Sequence, residues 1–114
     1  MSEHRKDASK LPLSAPRHAI PPGATCSHAH VFGPFERFPL PQGSAYPAPL
    51  ATAEMHAAML VKLGLSRAVI VNPSAYSSDH SATLDAIARA PDARRGTGVV
   101  TRDVSDAELE RLVA

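Results

Sequence analysis

Tryptophan is absent from this chain, and it has only two tyrosines and three phenylalanines. A core must therefore come mainly from aliphatic side chains and alanine, and alanine buries little area per residue. A single cysteine, Cys26, excludes an internal disulfide and removes the usual cysteine signature of a secreted fold. No apolar run approaches the length of a membrane span, and the opening MSEHRKDASKLPLSAPRHAIPPG has no apolar stretch of signal-peptide length. Neither sign of charge is in excess. Twelve basic residues against eleven acidic ones give a formal net charge of +1, which argues against nucleic acid or an anionic membrane as partner. A cytoplasmic protein is the expectation, and 114 residues suffice for one small domain.

Proline, by contrast, is plentiful, with eleven residues that punctuate the chain. Residues 1 to 22 lack apolar periodicity and read as a flexible N-terminal extension, leaving 23 to 114 as the folded unit. A first strand is expected over Ala24 to Phe32, ended by Gly33-Pro34. The segment from Phe35 to Leu50 carries Pro39, Pro41, Pro47 and Pro49, which forbid a helix interior or a central strand. A long loop of this kind after a strand points to a functional role. Thr52 is placed to cap a helix, with Met55, Ala58, Met59 and Leu63 on one face and Gly64 as its stop. Arg67 to Val71 is a short β-branched run without alternation, the pattern of a parallel strand buried on both faces. A second helix is expected from about Asp79 to Ala90 and a third strand at Gly98 to Thr101. Ser105-Asp106-Ala107-Glu108 is a capping box that opens a helix bearing Leu109, Leu112 and Val113. Strands alternating with helices imply an α/β fold with parallel strands and right-handed crossovers. Three parallel strands alone close nothing, so the pattern reads as the beginning of a larger α/β protein.

The stretch CSHAHVFGP carries the most chemistry. Side chains alternate along a strand, so His28 and His30 share a face, with Cys26 on the same side by the same count. At the carboxyl end of a parallel strand, where such folds bind ligands, two imidazoles can converge on a metal ion or a polarised carbonyl oxygen. With six histidines in the chain, one His-x-His arises by chance about 0.3 times, so the spacing alone is a weak sign. Its place at a strand end before a proline-rich loop strengthens it. Tyr46, in SAYPAPL, is either a packing tyrosine or a hydroxyl donor to a substrate carboxylate. Ser74, Tyr76 and His80 follow the second strand in NPSAYSSDH. Turn chemistry is the ordinary role for Ser74, and a solvated first-turn position the ordinary one for His80. His56 reads as a surface residue of the first helix, and Cys26 as a small core residue. No glycine-rich phosphate loop, nucleophile elbow or paired CxxC is present.

Taken together, HAHVFGPFERFPLPQGSAYPAPLAT, LGLSRAVIVNPSAYSSDH and VVTRDVSDAELERL resemble the amidohydrolase-related TIM-barrel hydrolases, most nearly the branch of 2-pyrone-4,6-dicarboxylate lactonases. The resemblance runs from about Pro21 to the last residue. It implies an N-terminal fragment of a (β/α)8 barrel, comprising two βα units, a third strand and the start of its helix. It implies a hydrolase that opens a lactone by attack of an activated water, with a small-molecule lactone or carboxylate as substrate. His28 and His30 would polarise the carbonyl, without a cofactor in the lactonase branch and as ligands of a divalent metal such as zinc in the wider superfamily. Tyr46 and Ser74 would contact the substrate.

The family pattern sets an acidic residue two positions before the first histidine. Here that position is Cys26, which disfavours a conventional metal site. A histidine from a middle strand, an aspartate general base from the last strand and substrate-binding arginines also belong to the pattern. They have no match among the 114 residues, and Arg102 is the only cation placed to substitute for an arginine. The fragment alone is thus expected to be inactive. The alternatives are a metal-dependent amidohydrolase or decarboxylase, and a non-catalytic product that self-associates through its open sheet edge.

Overall fold

The structure of the protein is a computed structural model that describes residues 13–44 and 46–113. The first twelve residues of the expected N-terminal extension lie outside the described residues. Residues 13–22 contain no helix or strand and are almost entirely exposed.

Three strands and three helices alternate: β1 (Thr25–Ala29), α1 (Ala53–Leu63), β2 (Arg67–Val71), α2 (Ser81–Ala88), β3 (Arg94–Thr97) and α3 (Asp106–Val113). A 3-10 turn, Ser74–Tyr76, follows β2. The sheet is parallel throughout, in the order β1-β2-β3. The expected α/β alternation is therefore present, though several boundaries differ.

The third strand lies at Arg94–Thr97 and not at Gly98–Thr101. The cause is the length of β2. Val71 partners Thr97, and the Asn72 N–H reaches the Thr97 carbonyl at 2.9 Å. Pro73 has no N–H with which to continue, so the β-branched run beyond Thr97 finds no ladder. Val99 and Val100 are left exposed. The first strand is also shorter than expected and ends at Ala29; Phe32 instead makes an isolated antiparallel bridge to Ala51.

Helix α1 begins and ends where Thr52 and Gly64 predict. The Thr52 hydroxyl accepts from the Met55 N–H, and Gly64 adopts φ +80°, the left-handed conformation that closes a helix. Its buried face is Ala53, His56 and Leu60 rather than the expected Met55, Ala58, Met59 and Leu63. His56 is therefore a core residue and not a surface one. Helix α2 starts at Ser81, after Asp79 accepts from both the Ser81 N–H and the Ser81 hydroxyl. In α3 half of the expected capping box is present: Ser105 Oγ accepts from the Glu108 N–H, while the Glu108 carboxylate accepts from Arg111 instead. That helix buries none of its described residues.

Ala68 and Ile70 of β2 form a single core cluster with Ala53 and Leu60 of α1 and with Ala82 and Ala86 of α2. Tyr76, Val31 and Phe32 extend it above the strand ends. The other face of β2, Val69 and Val71, is only half-buried, so β2 is covered on one face rather than on both.

Candidate active site

The register of β1 against β2 slips between Cys26 and Ala29. Cys26 partners Ala68 and Ala29 partners Ile70, so three steps on β1 oppose two on β2. A bulge of this kind re-aims side chains, and it breaks the alternation on which a common face for Cys26 and His28 relied. Cys26 is half-buried against the core while His28 is exposed. His30, the first residue after β1, is half-buried.

The two imidazoles are nonetheless neighbours. Their centroids are 5.1 Å apart with the rings at 78°, edge to face. His30 Nδ1 lies 2.8 Å from the carbonyl oxygen of Val71, the last residue of β2. A carbonyl has no proton to give, so Nδ1 carries the hydrogen and donates. In the neutral ring Nε2 then holds a bare lone pair. It accepts a proton or binds a cation, and it donates to an oxygen only when the ring takes a second proton.

Aromatic contacts continue along the loop. His30 packs edge-on to Phe32 at 5.9 Å, and Phe32 to Tyr46 at 6.2 Å. Phe32 also stacks with Tyr76 at 6.1 Å. His28, His30 and Tyr46 thus lie along one chain of rings at the carboxyl end of β1. Ser74 stands apart from it, exposed at the start of the turn after the neighbouring strand, its carbonyl accepting from the Ser77 N–H. That turn is pinned by Asn72, which is buried. Its Nδ2 donates to the Ser77 carbonyl at 2.9 Å, and its Oδ1 accepts from the Thr83 hydroxyl at 2.8 Å.

Sequence reasoning missed three structural residues here. The sequence assigns no role to Asn72 or Tyr76 and places His80 in solvent. His80 is 5 % exposed, and its Nε2 accepts from the Val99 N–H at 3.0 Å. The one available signal was the density of polar and aromatic residues in NPSAYSSDH, which is high for a plain turn.

A cavity of about 330 Å³ opens beyond β3, lined by Ser78, His80, Thr101, Asp103, Ser105 and Glu108 among others. None of the four expected site residues lines it. Its carboxylates already have partners. Asp103 is held below the usual carboxylate range by the Thr101 hydroxyl, and Glu108 by its hydrogen bonds from Arg111. The imidazole pair, with a His30 Nε2 that has no hydrogen-bond partner among the described residues, is the better candidate centre.

A catalytic metal needs three protein ligands and an open position. Among the described residues no three His, Cys, Asp or Glu side chains are gathered to hold one, and Cys26 faces the core. These residues by themselves do not fit such a site.

Among the described residues, no helix is long and apolar enough to cross a membrane. Residues 27–114 match the model of the family described as amidohydrolase. A 2-pyrone-4,6-dicarboxylate hydrolase of Comamonas testosteroni is 36 % identical over 100 residues, 87 % of this chain and 32 % of that protein. A 4-sulfomuconolactone hydrolase of Rhizobium radiobacter is 40 % identical over 93 residues, 82 % of this chain and 29 % of that protein. Among solved structures, a probable 2-pyrone-4,6-dicarboxylic acid hydrolase of Acinetobacter baumannii with citric acid bound superimposes with a TM-score of 0.71 at 28 % identity. It covers 80 % of this chain and 34 % of that one. The chain spans about a third of the length of these relatives. With the match running from the imidazole pair through the third helix, this chain belongs to the amidohydrolase family.

Proposed function

We propose that these residues form the carbonyl-binding corner of a lactone hydrolase, in which water opens a ring ester of a small carboxylate. The observation that carries this reading is the juxtaposition of two imidazoles 5.1 Å apart at the carboxyl end of β1. His28 and His30 are the groups that stabilise developing charge on the carbonyl oxygen, each donor contributing about 3 kcal/mol. His30 does so as an imidazolium, because Val71 occupies its Nδ1 proton. Tyr46 and Ser74 contact the substrate carboxylates. The names of the relatives support a lactone substrate, and the single cysteine supports a cytoplasmic setting.

The test is hydrolysis of 2-pyrone-4,6-dicarboxylate, followed by the loss of pyrone absorbance, in a polypeptide of the relatives' length carrying these residues. Replacing His28 or His30 by Ala should lower kcat by about 10² to 10³. Undiminished turnover in both variants overturns the reading. The 114-residue chain alone should be inactive, since no water-activating carboxylate is placed with the pair among the described residues.

A second reading has one observation in its favour. A ring whose Nδ1 proton is held by a backbone carbonyl is oriented as metal-binding histidines usually are, leaving Nε2 as ligand. Stoichiometric metal in the barrel-length protein, lost with activity on chelation, would establish it. The outer edges of β1 and β3 have no strand partner among the described residues, which supports self-association of the chain. A mass independent of concentration in sedimentation would exclude it.

A further inference from the structure

The loop from Gly33 to Leu50, rich in proline, has little ladder to hold it, yet its tyrosine lies in the chain of rings beside His30. The loop's own side chains pack on the core, with Ala48 fully buried, and Arg37 pairs with Asp85 of α2; a further anchor comes from beyond β2. Tyr76, in the turn after β2, is 1 % exposed and cannot touch a substrate. Its ring stacks on Phe32 at 29°. Its hydroxyl accepts from the Gly33 N–H at 2.9 Å and donates to the Phe38 carbonyl at 2.7 Å. A phenylalanine would fill the same space. Only the hydroxyl satisfies both backbone groups, which are 43 and 38 residues away in sequence.

We infer that Tyr76 is a positioning residue that clamps the first turn of this loop and so holds Phe32 against His30, with Tyr46 packed on Phe32 in turn. The inference rests on the proposed lactone site for its functional meaning, but its structural content stands separately. To donate to Phe38 the phenol must keep its proton, and burial pushes its pKa up, away from ionisation. The turn that carries Tyr76 is itself tied down by Asn72 and Thr83, so the clamp is anchored to β2 and α2.

Tyr76→Phe keeps the stack and removes both hydrogen bonds. In the 114-residue chain, hydrogen exchange at the Gly33 amide should accelerate about tenfold or more. The Phe32–Tyr46 ring contact should be lost from nuclear Overhauser spectra. Exchange at Ile70 and Asn72, in the β2–β3 ladder, should be unchanged. Unaltered Gly33 exchange and an intact ring contact in the folded variant overturn the inference. If the variant does not fold, the unaltered chain decides: a slowly exchanging Tyr76 hydroxyl proton supports the clamp and its absence overturns it. In a barrel-length polypeptide the same substitution should raise KM for 2-pyrone-4,6-dicarboxylate about tenfold while kcat stays within about twofold, because the histidines are untouched. Equal losses in kcat would overturn the positioning role. Inactivity of the parent polypeptide would sink the lactonase reading alone, leaving the exchange measurement to judge the clamp.

Discussion

The hydrogen bond from His30 Nδ1 to the Val71 carbonyl makes a claim about where a proton resides, and that claim is measurable. A neutral hydrogen bond of this length is worth about 1 kcal/mol net, which biases the tautomer equilibrium about fivefold toward Nδ1–H. His28 is exposed and two residues away, so it serves as an internal reference. In ¹⁵N spectra of the ring nitrogens recorded on the chain at alkaline pH, His30 should show a bare Nε2 and a protonated Nδ1. His28 should show the mixture of an imidazole in water. In a barrel-length polypeptide, His30→Ala should lower kcat/KM about 10²- to 10³-fold, the worth of one oxyanion donor, and His30→Gln, whose amide still donates, should fall less. A neutral His30 protonated at Nε2, or equal losses in the two variants, would refute the reasoning.

Three further outcomes concern the fold beneath the site. Gly33 has φ +83°, and an added Cβ would stand 2.8 Å from Leu50 Cδ1 and 3.1 Å from the Phe35 nitrogen. Gly33→Ala should therefore cost about 1–3 kcal/mol in urea unfolding, and a neutral effect would mean the loop re-forms freely. Ile70 is fully buried at the centre of the sheet, so Ile70→Ala should cost about 2–5 kcal/mol; a loss below 1 kcal/mol would show that the site collapses around the cavity. His56 is buried with neither ring nitrogen partnered among the described residues, and burial, with Arg94 adding to it, holds its pKa below the ordinary imidazole range. The unfolded chain thus takes up a proton that the folded one refuses. Stability is full above the ordinary range and declines as the pH falls through it toward the depressed folded value. His56→Leu should remove that acid slope and raise stability by about 1 kcal/mol, as read from melts at neutral and mildly acid pH; an unchanged slope would rule out His56 as its source.

Local chemistry makes much of this protein legible in the sequence alone. Thr52 and Gly64 bounded α1 because capping is a matter between near neighbours, and Ser105 with Glu108 opened α3 for the same reason. RAVIV marked β2 because a short β-branched run has few other uses. His28 and His30 stood out through spacing and position, and the family resemblance rested on the residues around them. What the tertiary structure decided was every feature that depends on a partner distant in sequence. The third strand moved to Arg94–Thr97 because Val71 and Pro73 end the ladder there, overriding the β-propensity of Val99 and Val100. A bulge in β1, set by its register on β2, separated Cys26 from the histidines. His56 and His80, polar by composition, were buried by neighbours that no periodicity names. Side chains meet water or one another according to where the whole chain passes, so the direction of a single imidazole, and the proton it holds, belong to the fold rather than to the string of residues.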